Sequence, residues 1–135
     1  MFAPFRSQAT AYGRIQVETG VSGADPHKLI AMLYDGAVSA IAEARGALQR
    51  GDIEAKGRAI GHAVRIVEEG LRSALNRKDG GELATNLNNL YVYVGARLTH
   101  ANLRNDDAAL KECHELISGL RDAWASMQPL QKSAA

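Results

Sequence analysis

Apolar residues recur at alternating steps of three and four along most of this chain, in four runs separated by short breaks of Gly, Asp and Asn. The cleanest run is Leu110, Cys113, Ile117, Leu120, Trp124 and Met127, with Lys111, Glu112, Glu115 and Asp122 falling elsewhere. A stripe of that period is the mark of a helix with one buried face, and no two-residue alternation competes with it. Asp25 and Pro26 open the first run as an N-cap followed by proline at the first helical position, where a fixed φ and a missing N–H cost nothing. That helix is expected from Pro26 to Arg50, burying Leu29, Leu33, Ala37, Ala40, Ile41, Ala44 and Leu48, and Gly51 stops it. Asp52 caps a second, with Ile53, Ile60, Val64, Val67, Leu71 and Leu75 inward and a stop over residues 76–81. A third starts near Glu82, at the positive end of the helix dipole, and carries Leu83, Leu87, Leu90, Val94, Leu98 and Ala101. Asn105 and Asp106 cap the fourth, and Pro129 bars its continuation.

Helices joined by such short links run antiparallel to their chain neighbours. The expected fold is therefore all-α, an antiparallel up-down four-helix bundle over residues 25–128. Residues 1–24 are interrupted by Gly13, Gly20 and Gly23 and leave Tyr12, Ile15 and Val17 as isolated apolar points, so they read as an N-terminal extended or short helical arm. Residues 129–135 read as a flexible tail. At 135 residues the chain suits one domain that buries roughly two-thirds of its unfolded surface. Seven glycines, Gly36, Gly46, Gly57, Gly61, Gly70, Gly95 and Gly119, fall inside expected helices, each costing up to about 1 kcal/mol against alanine. They serve either close helix packing or a pliable surface.

Charge excludes several function classes. Sixteen Lys and Arg against fifteen Asp and Glu, scattered along the chain, leave no basic footprint for nucleic acid. No apolar run reaches the roughly 18 residues of a membrane-spanning helix and no secretory signal opens the chain, so the expectation is a cytoplasmic protein without membrane insertion. The single cysteine, Cys113, excludes an internal disulfide and sits in a core stripe.

No catalytic constellation emerges, and neither metal nor cofactor is expected. A di-iron bundle needs Glu-x-x-His on two helices, but Lys111, Arg97 and Ala59 precede His114, His100 and His62 by three. The enzymatic alternative is histidine phosphotransfer through His62. Such bundles place a lysine three residues after the histidine and a small residue next, where this chain has Arg65 and then Ile66, whose bulk crowds the phosphoryl site. His27, in the first turn of its helix, reads as solvent-exposed.

The third helix carries more apolar surface than a core needs. At about 100° per residue, Leu83, Leu87, Leu90, Tyr91, Val94, Leu98 and Ala101 form one stripe. Val92, Ala96 and Leu103 lie near the opposite side, and Tyr93 projects from a third flank among Asn86, Asn89, Arg97 and Arg104. These residues are either incidental, covered by the arm or by a second copy of the chain, or a groove for a segment of another protein.

The blocks AYGRIQVETGVSGADPHKLIAMLYDGA (residues 11–37), GDIEAKGRAI (51–60), GGELATNLNNLYVYV (80–94), RLTHANLRND (97–106) and DAW (122–124) resemble, in colinear order, the bacterial flagellin export chaperone family, FliS. The resemblance implies a cytosolic bundle, not an enzyme, that binds the disordered C-terminal region of flagellin. It would prevent premature polymerisation and help delivery to a gate component of the flagellar type III export apparatus. By the same likeness Tyr12 lies in an arm that rests on the bundle, with Ile15 and Val17 beside it. The likeness also implies a groove of Leu33, Tyr34, Asn86, Leu87, Leu90, Tyr91 and Val94, to which the exposed Tyr93 is added. A client-free homodimer would cover the same surface.

Overall fold

The computed structural model describes residues 25–127. Four helices follow in order: α1 (Pro26–Gln49), α2 (Ile53–Arg65), α3 (Gly81–Arg104) and α4 (Asp107–Ala125). Among the described residues there is no strand, and no helix is long and apolar enough to cross a membrane. The result is the expected all-α four-helix bundle. The arm with Tyr12, Ile15 and Val17, and the tail 129–135, lie outside the described residues.

The caps work as their residue types require. Asp25 accepts from the His27 N–H at 3.0 Å, Asp52 from Ala55 at 3.1 Å and Asp106 from Ala109 at 3.3 Å, each satisfying a donor that the first helical turn leaves unpaired. After α1 the chain passes through Gly51 at φ +76°, and the Asp52 N–H reaches back to the Ala47 carbonyl at 2.9 Å. Asn105 plays the same part after α3 at φ 53°, with Asp106 N–H on the Ala101 carbonyl at 3.1 Å. These left-handed closures reverse the chain in two or three residues and fix the antiparallel pairing.

The core takes one or two side chains from each helical turn: Ile30, Tyr34, Ala37, Val38 and Ile41 from α1, Ile60 and Ala63 from α2, Leu87, Tyr91, Val94 and Leu98 from α3, and Leu110, Cys113, Ile117 and Trp124 from α4. The inward row of α1 is rotated from the expected one. Ile30 and Tyr34 are sealed, whereas Leu29, Leu33 and Leu48 are only half-buried. Leu83, Leu90, Leu120, Val64 and Met127 likewise sit at the core's margin, and Ile53 is exposed because its turn lies at the edge of the bundle. Of the helical glycines, Gly36 and Gly70 on facing helices, and Gly95 on α3, stand against neighbours at 3.3, 2.9 and 3.0 Å from where a Cβ would lie, while Gly61 and Gly119 face open space. Close packing therefore accounts for three of the seven.

The second helix departs most from expectation. Past Arg65 it continues without a break as a π-helix over Ile66–Arg72, the Ser73 N–H closing on the Glu68 carbonyl five residues back at 3.2 Å. The buried row Ala63, Val67, Leu71, Leu75 advances by four at every step. In an α-helix each such step drifts by about 40°, so three in succession would carry Leu75 away from the core. The wider π turn takes up the extra residue and keeps the row inward.

Lys56 is a buried cation that periodicity did not reveal, only 3% exposed. Its ammonium donates to the Asn102 carbonyl at 2.8 Å and to Asn105 Oδ1 at 2.6 Å. It thus holds α2 against the C-terminal end of α3, where the helix dipole favours a positive charge. Lys56→Met is expected to lower stability by about 1–3 kcal/mol in chemical denaturation, since the α3 terminus loses a charged donor in a buried setting. An unchanged midpoint would mean that water replaces it freely.

Candidate functional site

The bundle holds no catalytic constellation among the described residues, and no group of three His, Cys, Asp or Glu side chains stands close enough to hold a metal. Burial pushes the Cys113 thiol up to about 11, so it is protonated at neutral pH and serves as core. His62 is exposed on α2.

Chemistry gives way to surface. Large hydrophobic side chains exposed in the described residues are Met32, Ile53, Val92, Tyr93 and Leu103, three of them on α3. Taking about 100° per residue, Thr85, Asn89, Val92, Ala96, Thr99 and Leu103 fall within about 80° of one another, a strip about 27 Å long. All six are exposed and none carries a charge; Leu103 is 77% exposed and Val92 44%. The charged residues of this helix, Glu82, Arg97 and Arg104, stand off to the flank. The outward face of α2 and of the π-helical stretch that continues it differs, presenting Glu54, Arg58, Arg65 and Glu69. A charge-free outer helix face is unusual on a bundle, because water is better met by Lys and Glu, and it suits a partner that buries apolar groups.

One edge of the strip is fixed by α4. Tyr93 donates its hydroxyl hydrogen to Glu112 Oε2 at 2.6 Å, and Arg97 Nε donates to Glu112 Oε1 at 3.0 Å. Both bonds favour the carboxylate and hold Glu112 below its ordinary range, Tyr93 contributing most; the same bond raises the phenol of Tyr93. At the end of α3 the Asp106 carboxyl is lowered by the Ala109 backbone N–H and then by His100, and Asp107 is lowered by Arg45 Nε and Nη2 at 2.9 Å each. Depressed carboxylates contribute stability at neutral pH that is lost as pH falls below their ordinary values, so these ties of α4 to α3 and α1 weaken in acid, and the Tyr93–Glu112 bond is lost again when the raised phenol ionises in alkali. Tyr93 remains 43% exposed. Tyr93→Ala is accordingly expected to change the melting temperature by no more than a degree or two, roughly the effect of one surface contact; a loss as large as that of a core truncation would place its ring in the core.

The residues expected to line a groove do not share a surface. Tyr34, Tyr91 and Val94 are sealed in the core and Leu87 is nearly so, because the stripe that carries them is the one the bundle buries. Tyr34 and Tyr91 join hydroxyls at 2.7 Å inside it. Leu33 and Leu90 are half-buried, whereas Asn86 and Tyr93 are exposed. Tyr12, Ile15 and Val17 lie outside the described residues. Val92, Ala96 and Leu103, noticed in the sequence as surplus, are the exposed ones.

His27 is not the free surface residue expected. Its ring stacks on Trp124 with centroids 4.7 Å apart and planes 15° from parallel. Its Nε2 hydrogen-bonds the Trp124 carbonyl at 3.0 Å, and the indole N–H donates to the His27 carbonyl at 2.8 Å. Since a carbonyl only accepts, Nε2 carries the hydrogen. This clasp ties the start of α1 to the end of α4. The proximity of two residues 97 apart in sequence left no local signal.

Comparison with known proteins places the chain beside flagellar proteins. It matches the family described as flagellar protein FliS over residues 8–131. It is 47% identical over 119 residues, 88% of either chain, to the flagellar secretion chaperone FliS of Salmonella typhimurium. It is 44% identical over 113 residues to flagellar secretion chaperone FliSB of Pseudomonas aeruginosa, covering 84% of this chain and 89% of that one. Over 115 residues it is 36% identical to flagellar secretion chaperone FliS of Bacillus subtilis, covering 85% and 81%.

Proposed function

The chain belongs to the FliS family of flagellar proteins, a chaperone family and not an enzyme family, and from that membership we propose that it is a flagellar export chaperone. Its client is the disordered C-terminal region of flagellin, which it keeps from polymerising and brings to the export gate from the cytoplasm. The observation that carries this reading is the uncharged outer face of α3, where Val92, Ala96 and Leu103 stand in water with Tyr93 at the edge. A filament subunit must bury apolar stripes against its neighbours, so the free monomer is prone to self-association. A surface that covers those stripes one-to-one suppresses nucleation without nucleotide or catalysis. Ordering a disordered client costs entropy, which offsets part of the contact energy and keeps the complex releasable.

The edge tyrosine suits this task, since its ring offers rigid apolar area and its hydroxyl is already satisfied by Glu112. Tyr12, Ile15 and Val17 complete the contact from the arm in this proposal, rooted at the His27–Trp124 clasp. Leu33 and Leu90, half-buried at the margins of the core, are further candidate contacts, whereas phosphotransfer through His62 has no place in a chaperone family.

Co-purification from cells with a flagellin bait tests the proposal. Full-length bait is expected to retain the chain at about equal stoichiometry, and bait lacking its C-terminal segment to lose it. Equal retention by both would move the contact elsewhere on flagellin, and no retention by either would refute the assignment.

A further inference from the structure

The π-helical stretch of the second helix has a pattern that fits two registers. Each inward residue is preceded by a residue that the core tolerates: Ile66 before Val67, Gly70 before Leu71, Ala74 before Leu75. Ile66 and Ala74 already pack against the margin of the core, and Gly70 sits against Leu33 of α1. The residues that follow the inward row, Glu68, Arg72 and Asn76, are polar. A slip is therefore admissible in one direction only. It is the direction in which a π turn relaxes to α: the surplus residue passes into the connector 73–80, and the places of Leu71 and Leu75 are taken by Gly70 and Ala74.

We propose that Ile66–Arg72 is a register switch, whose α form withdraws Leu71 and Leu75 and opens an apolar pocket beside Leu33 for a large aliphatic side chain of a bound polypeptide. The connector can absorb the added residue, being a run of turns that ends at Gly81 with φ +65°. The closed form is held by a lash of polar bonds: Arg72 donates to Glu68 at 2.8 Å and to Asn88 of α3 at 2.8 Å, and Glu68 lies in the space that Gly95 leaves open. In the slipped form Glu69 moves into the place of Gly70, where its Cβ obliges Leu33 to turn aside, and the lash must break. An occupied pocket replaces the two leucines, so a partner with aliphatic anchors selects the open register. That the partner is the flagellin segment rests on the chaperone reading; the switch itself does not.

Deletion of Glu69, an exposed residue within the stretch, tests both parts. It removes the surplus residue, so the helix becomes continuously α while Leu71 and Leu75 keep their inward places, and the switch is locked shut. In the free full-length chain, amides 66–76 are expected to exchange faster than those of Ile53–Arg65, and the deletion to slow them on the order of tenfold. Equal exchange in the two proteins overturns the switch whatever the client. Should the deletion variant fail to fold, Gly70→Ala supplies the converse: its added methyl, 2.9 Å from Leu33 Cδ2 in the closed form, must raise exchange at 66–76 and leave α3 and α4 unchanged. A uniform rise, or none, overturns the switch. With a synthetic peptide of the flagellin C-terminal region, the locked variant should bind on the order of tenfold more weakly than wild type. Equal affinity removes the pocket's assigned occupant, and a wild-type chain that binds no peptide counts against the chaperone reading, leaving the exchange comparison to judge the switch.

Discussion

Trp124→Ala should be the most damaging single truncation in the bundle, lowering unfolding stability by about 3–5 kcal/mol, as expected when a large aromatic leaves a core. The indole is almost fully buried, stacks on His27, and meets Tyr34 at 6.5 Å between ring centres in a tilted arrangement. Its removal costs dispersion and area, and also the bond from the indole N–H to the His27 carbonyl. That carbonyl lies in the first turn of α1, so the loss is felt at the start of that helix. His27→Ala should cost much less, on the order of 1 kcal/mol, because the indole N–H bond is to the backbone and survives it. Denaturant unfolding followed by circular dichroism separates the two. A Trp124 loss no larger than that of His27 would mean that the end of α4 is frayed in solution and the clasp contributes little.

The second large effect concerns binding with the fold left intact. Val92→Glu combined with Leu103→Glu places two charges on the strip of α3 that carries none, at positions exposed enough to accept them. The melting temperature should stay within a few degrees of wild type, since surface changes are usually within about 0.5 kcal/mol. Affinity for the flagellin C-terminal peptide should fall by a hundredfold or thereabouts, roughly the loss of one or two interface anchors. The charge-bearing face of α2 provides the control: Arg58→Glu, at an exposed position, should leave affinity unchanged. A double variant that binds as well as wild type would remove α3 as the docking face.

What could be read from sequence follows from which interactions are local. The caps at Asp25, Asp52 and Asp106, the stop at Gly51, and the helical period all act within a few residues, so the four helices and their antiparallel order were legible; Asn105, read as a cap of α4, proved to be the left-handed stop of α3. The rotation of α1 was not, because LIAMLYDGA supplies apolar residues on several faces. Contacts with α4, above all Trp124 against His27 and Tyr34, decide that Ile30 and Tyr34 turn inward. The π stretch did leave a trace, the run of fours from Ala63 to Leu75, which a regular helix could not keep on one side. Lys56 and the clasp left none, since both pair residues far apart in sequence, 46 and 49 positions for Lys56 and 97 for the clasp. At the candidate site the opposition between the two faces of α3 was visible from spacing alone. Family likeness pointed to Tyr34, Leu87, Tyr91 and Val94, which the bundle buries; the spacing pointed to Val92, Ala96 and Leu103, which it leaves in water.

Site-specific photocrosslinking tests the docking face most directly. A benzophenone amino acid is placed at Ala96, the middle of the uncharged strip, and in a second protein at Arg58 on α2, and each is irradiated with flagellin. The account predicts that Ala96 crosslinks to the flagellin C-terminal segment and Arg58 does not. Crosslinking from Arg58 with none from Ala96 would contradict it.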